Sequence, residues 1–241
     1  MRRLVGFLSL FALFAGGLTV GTAVTASATT TCNGFIQNQT IVGNLYVPGT
    51  YCELQNVTIK GSVTAQPGSA LILDAPVHIT GNLTAYNMNF SNCSTSSRGI
   101  VQIDGSIIVN GGAFQICDNW KVLGSVNISS LFSGPFVSSE CDGECGLDPD
   151  GVQIGGSFTL QNNSDKTGQM LGWTVGGSGF INNNGGGNLD ISNSTFGSYL
   201  TCSGNTTGFT GTGDNSHSQA GPNKNGFVGQ CAGLGGGGSP G

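Results

Sequence analysis

The chain has 241 residues, carries a formal net charge of −5, and only 8% of its residues are charged. Without Arg2 and Arg3 it keeps five basic and twelve acidic residues, a formal charge of −7, and it has no basic patch. That balance argues against nucleic acid and anionic membrane as partners, and 43 glycines among many Ser, Thr and Asn describe a neutral, hydrogen-bonding surface.

The chain opens on an export signal. Arg2 and Arg3 form a positive start, Leu4 to about Val20 an apolar stretch, and Ala26-Ser-Ala28 a small-residue cleavage site. Residues 1–28 therefore read as a signal peptide of bacterial type, and the mature chain is expected to start near Thr29 and to be secreted. No second apolar stretch reaches the length of a membrane span, so no membrane association is expected after cleavage.

From residue 39 a short phrase recurs: apolar, any, apolar, any, Gly, Ser or Asn, apolar, any, apolar. Its clearest copies are Val57-Thr-Ile-Lys-Gly-Ser-Val-Thr-Ala65, Val77-His-Ile-Thr-Gly-Asn-Leu-Thr-Ala85 and Val101-Gln-Ile-Asp-Gly-Ser-Ile-Ile-Val109. Alternation with period two marks strands, and a glycine inside such a pattern marks a corner. The phrase glycines are Gly43, Gly61, Gly81, Gly105, Gly124, Gly156 and Gly177, 18 to 24 residues apart except for one interval of 32 between Gly124 and Gly156. A period near 20 with loop insertions predicts an all-β, single-stranded, right-handed parallel β-solenoid of about seven to eight turns over residues 29–203. Trp120 and Trp173 occupy apolar slots of the phrase and are expected to point inward. Past Gly204 the phrase dissolves, and residues 204–241 read as a Gly/Ser/Thr/Asn-rich region ending in a flexible tail. Neither end of the solenoid shows an obvious cap.

Eight cysteines in an exported chain read as disulfides. Cys93 follows Gly81 by the same interval as Cys117 follows Gly105, so the two occupy the same place in consecutive turns, about 5 Å apart. Cys32 and Cys52 are also one turn apart. The nearest-neighbour solution adds Cys141–Cys145 and Cys202–Cys231, although Cys141 and Cys145 could also be free or cross-paired thiols.

Chemistry-bearing clusters are few. Glu140, Asp142, Glu144, Asp148 and Asp150 fall close together inside the longest insertion. They offer oxygen ligands to a hard cation such as Ca²⁺, and are otherwise a solvated acidic loop. No other cofactor is expected. Paired carboxylates also serve glycoside hydrolysis, but a single loop rarely places two of them across a substrate. His78 and His217 show no companion Cys, Ser or acid at a recognisable spacing. The column three before the glycine reads Thr40, Thr58, His78, Gln102, Lys121, Gln153, Thr174; the column three after it reads Tyr46, Thr64, Thr84, Ile108, Asn127, Thr159, Phe180. Neither is flat, regular and uncharged, as an ice-binding face would be. Nine Asn-x-Ser/Thr sequons, from Asn38 to Asn205, follow from the Asn/Thr-rich composition.

The architecture resembles that of parallel β-helix polysaccharide lyases, which implies acidic residues for Ca²⁺ and a Lys or Arg base along one outer face. Here the outward bases are Lys60 and Lys121, with Arg98 in a loop and Asp104 in register with neither lysine. The short apolar repeat is also similar to that of polymer-forming β-solenoids such as bactofilins, which implies end-to-end self-assembly; the signal peptide and cysteines differ from their cytoplasmic pattern. Two functions are thus expected in turn: a secreted structural or cell-surface scaffold without catalysis, or an extracellular polysaccharide-binding or polysaccharide-degrading protein. The partners expected are the protein itself and surface polysaccharide. Peptide mapping under non-reducing conditions should join Cys93 to Cys117, and any other partner for Cys93 breaks the assigned register.

Overall fold

Apolar alternation on both sides of a glycine produces strands that stack rather than fold back. In the computed structural model, which describes residues 28–93, 99–116, 119–132, 136–137, 151–164, 168–206, 208–211, 216–217 and 226–234, every strand pairing is parallel. The chain is an all-β parallel solenoid of about seven turns of about 20 residues. The phrase segments after the glycine form a first sheet of ten strands, from Thr29–Thr31 to Phe227–Gly229. Those before it form a second sheet, and a third side carries a four-stranded sheet of Phe136–Val137, Gly168–Leu171, Asn188–Ser192 and Gly208–Thr210. In the early turns the third side is supplied by the first halves of the long strands Gly34–Val42, Tyr51–Lys60 and Ala70–Ile79.

The register follows the phrase. Thr40 pairs with Thr58, Thr58 with His78, His78 with Gln102, Gln102 with Lys121, and Lys121 with Gln153. On the first sheet Tyr46, Thr64, Thr84, Ile108, Asn127, Thr159 and Phe180 stand in one row. Residues between these outward positions point inward and are buried. Trp173 is fully buried and meets Phe158 edge to face at 5.3 Å, while Trp120 packs edge to face with Phe114. Both tryptophans thus face the core, where a large aromatic removes the most apolar surface from water.

The glycine corner stacks tightly. The Gly81 N–H donates to Gly61 at 2.8 Å, Gly105 to Gly81 at 3.1 Å, Gly124 to Gly105 at 3.0 Å, and Gly156 to Gly124 at 2.9 Å. A Cβ on Gly105 would stand 2.6 Å from the Gly81 carbonyl oxygen, so close backbone approach is what demands glycine here. The Ser or Asn that follows ties the same corner a second time, because its side-chain oxygen accepts the backbone N–H of its counterpart one turn on. Asn44 accepts from Ser62 at 2.9 Å, Ser62 from Asn82 at 3.1 Å, Asn82 from Ser106 at 2.8 Å, and Ser106 from Ser125 at 3.0 Å. Short side chains with an acceptor oxygen are needed for this, which explains the alternation of Ser and Asn in the phrase.

The other two corners turn through left-handed backbone. Asn38, Asn56, Asn119 and Asn193 precede the phrase with φ between 51° and 62°, and Asn87, Ser130, Asn162 and Asn183 follow it with φ between 40° and 58°. Asn tolerates this conformation better than most residues with a Cβ. Inside the later turns a second ladder runs through buried amides. Asn163 donates Nδ2–H to Asn184 Oδ1 at 2.7 Å, Asn184 to Asn205 Oδ1 at 2.9 Å, and Asn205 to Gln230 Oε1 at 3.0 Å. The amides also bond backbone groups, such as Leu160 O and Ile181 O, so these buried polar atoms are satisfied.

Two disulfides are present among the described residues. Cys32–Cys52 joins the first turns with Cα atoms 5.7 Å apart, and Cys202–Cys231 joins the last with Cα atoms 5.4 Å apart. Cys117, Cys141, Cys145 and the Cys93 side chain lie outside the described residues, although the Cys93 backbone pairs with Leu73. At the C-terminal end Gln230 crowns the amide ladder, a short 3-10 helix, Ala232–Leu234, follows, and Leu234 packs on the core. These residues fasten the last turn, while among the described residues the last strands, Ser216–His217 and Phe227–Gly229, have one neighbour each. The corner constraint has a direct check. Gly105→Ala should lower stability by about 1–3 kcal/mol in urea titration, whereas Gly233→Ala, with no atom within 4 Å of its new Cβ, should stay within about 0.5 kcal/mol of the parent.

Candidate functional surfaces

A solenoid presents its outward residues as rows, so a site on it is a neighbourhood of adjacent turns. The first sheet carries Thr, Asn, Ser and Gln on its outer face, with Tyr46, Tyr86, Ile108, Phe180 and Val228 among them. Among the described residues no Asp, Glu, Lys or Arg stands on this face over its ten strands. Glu53, Lys60, Asp74, Asp104 and Lys121 belong to the second-sheet strands and the corner after them, and Asp190 to the third sheet. The row after the glycine is thus uncharged but uneven, since Tyr46, Ile108 and Phe180 interrupt its threonines, so it lacks a flat Thr lattice.

On the second sheet His78 and Gln102 are register neighbours, and Asp104 lies two residues beyond Gln102 on the same turn. His78 Nε2 donates to Asp104 Oδ2 at 2.9 Å, and Gln102 Nε2 donates to Asp104 Oδ1 at 2.7 Å. No companion for His78 stands out in the sequence; stacking supplies one 26 residues away, a spacing of one turn plus two. Asp104 stands in register with neither lysine, as expected. Gln102 pairs with Lys121 on the next turn, and the Lys121 charge reaches the carboxylate. The Asp104 pKa lies below the usual carboxylate value, chiefly through the Gln102 hydrogen bond, then through that of His78, with slight burial opposing both. The side chains of His78 and Asp104 are 40% and 30% exposed, so their pairing is screened by water.

One buried acid stands apart. Asp74 is 3% exposed and accepts from Gln55 Nε2 at 2.5 Å, one turn below, next to the corner at Ala75–Pro76. Near the N-terminal end Tyr51 donates its hydroxyl to Glu53, which raises the Tyr51 pKa.

The acidic residues Glu140, Asp142, Glu144, Asp148 and Asp150 lie outside the described residues, as do Arg98 and the side chain of His217. The chain leaves the third sheet at Val137 and rejoins the second at Gln153, so neither anchor of the insertion belongs to the uncharged face. Among the described residues no three His, Cys, Asp or Glu side chains gather as metal ligands, and no helix is long and apolar enough to cross a membrane.

Of the nine sequon asparagines, Asn38, Asn56, Asn162 and Asn193 are left-handed corners and Asn205 is buried in the amide ladder. Asn38 and Asn56 also bond each other, Asn56 Nδ2 donating to Asn38 Oδ1 at 2.8 Å. The Thr two places after Asn38, Asn56 or Asn193 is an outward strand position, so the fold itself writes the sequon.

The depressed Asp104 pKa sets a sign. It adds stability above the unfolded-state value of about 3.9, and that contribution is lost as pH falls through the lower folded value. The stability gap between the parent and Asp104→Asn, from urea midpoints, should therefore be open at neutral pH and close below about pH 4; a gap unchanged at about pH 3 removes the assignment. No protein-family model, curated protein or solved structure matches the chain.

Proposed function

We propose that the protein is an exported structural scaffold of the cell surface, working through its faces and not through catalysis. The observation that carries this reading is the repeated corner, where each turn is hydrogen-bonded to the next through both the glycine backbone and the Ser/Asn side chain. Such a rod distributes its stability over every turn and holds its outward rows in fixed register. The disulfides at both ends suit an oxidising compartment. Cleavage after Ala28 would leave Thr29, the first residue of the first strand, as the N-terminus.

The two ends of the rod differ. Strand Gly34–Val42 begins the second sheet and has one neighbour, Tyr51–Lys60, with Phe35 49% and Val42 71% exposed. The opposite end carries Gln230 and Leu234, and among the described residues its last strands, Ser216–His217 and Phe227–Gly229, also have one neighbour each. Both ends thus keep strand edges that a second copy could pair with, while the side faces hold their rows in fixed register for other partners.

Fractionation of the producing cells tests the scaffold. The protein should be recovered with the envelope, with Thr29 as its N-terminal residue by sequencing. Recovery from the cytoplasm with residues 1–28 intact would overturn the reading, as would a freely diffusing protein that depolymerises a polysaccharide.

A further inference from the structure

A scaffold held at a cell surface must grip something, and the chemistry of the first sheet favours one class of partner. We infer that the outer face of this sheet binds an uncharged polysaccharide chain laid along the rod. The inference rests on the scaffold reading for its setting and on the face for its content.

Three features of the face agree. It has no charged side chain among the described residues, so an acidic polymer finds no counter-charge there and a neutral one loses no ion solvation. Most of its strands offer an outward hydroxyl or amide in one row or the next, and adjacent strands lie about 4.8 Å apart, close to the advance of one sugar ring along an extended glycan. Thr84, Asn127 and Thr159 stand in the central row, with Asn110 and Gln161 in the row beside them. Donors and acceptors of this kind meet sugar hydroxyls without a desolvated charge.

Aromatic rings occupy both ends of the same surface. Tyr46 and Tyr86 lie toward the N-terminal end; Phe180 and Tyr199 lie toward the C-terminal end, their ring centroids 6.0 Å apart and mutually perpendicular. Tyr86 is 42% exposed and Tyr199 41% exposed, which leaves ring surface open for stacking on a sugar. Tyr46 and Phe180 are six strands apart in one row, roughly 29 Å, a span of about six sugar units at one per strand. The polar rows between would then hold the chain in line while the rings clamp its ends. A glycan crossing the strands in this way uses outward side chains alone and needs no cleft.

The test uses the secreted, disulfide-bonded protein with insoluble cellulose and chitin as neutral probes and polygalacturonate as the acidic one. The protein should sediment with at least one neutral polymer, ignore polygalacturonate, and hold its binding between low and high salt. Tyr86→Ala combined with Phe180→Ala should weaken binding roughly tenfold, with the melting temperature close to that of the parent. Phe35→Ala, exposed but off this face, should leave binding unchanged. Asn127→Glu, which keeps every ring and places one charge mid-face, should also weaken it and serves if the double variant unfolds. Binding that favours polygalacturonate and fades with salt overturns the inference, as does a parent protein that sediments with neither neutral polymer. Envelope retention without glycan binding would remove this inference and leave the scaffold standing, whereas glycan binding by a freely diffusing protein would do the reverse.

Discussion

The closeness of one glycine to the next at the corner sets the rest of this structure. Gly61, Gly81, Gly105, Gly124 and Gly156 stack so nearly that the glycine carbonyl oxygen of one turn would stand no more than 3.0 Å from a Cβ on the next. The N–H groups of Gly81, Gly105, Gly124 and Gly156 each bond the glycine carbonyl one turn before. A turn slipped by one residue would put a side chain into that gap, reverse the inward and outward faces, and break the Ser/Asn side-chain bonds beside it. The corner therefore fixes register turn by turn. Rows on the outer faces, disulfides across turns and buried aromatics all inherit their positions from it.

Polar side chains do much of the internal fastening, which is unusual work for a core. The ladder from Asn163 to Gln230 runs where the apolar pattern weakens, and its amides replace hydrophobic burial with bonds to the backbone of the neighbouring turn. Each amide is both donor and acceptor, so the chain of bonds is directional and closes only when a final group ends it. Gln230 ends it, folding back to donate to the Asn205 carbonyl. The Cys202–Cys231 bond holds that last residue's neighbour in place, so disulfide and ladder depend on one another. Gly208–Thr210 and Phe227–Gly229 extend the third and first sheets here, with Phe227 in the core edge to face with Phe196.

The repeat, the rows and the inward tryptophans were legible because period-two alternation states its faces openly, and counting from a glycine carries that information from turn to turn. The Ser or Asn after the glycine was visible as a pattern, but its cause lies in a bond to another turn. Asn163, Asn184 and Asn205 recur every 21 residues, yet so many other asparagines surround them that spacing alone does not mark the buried ones. His78 and Asp104 meet because one lies a turn and two residues from the other, an offset that no local motif displays. The C-terminal fastening escaped for a related reason. Gln230 and Leu234 sit in Gly-rich sequence without alternation, and their partners are in earlier turns.

The third side of the solenoid is where the spacings stretch. Ser125 and Ser157 bond across one corner although 32 residues separate them, and beside them Lys121 and Gln153 remain register neighbours. The turns on either side keep their alignment. The length of chain at this side is thus decoupled from the geometry of the other two. Such a corner is an evolvable port: sequence can be gained, lost or exchanged there while the rod keeps its pitch. The acidic insertion occupies that port today, and the fold would accept a different cargo in its place without rewriting a single rung.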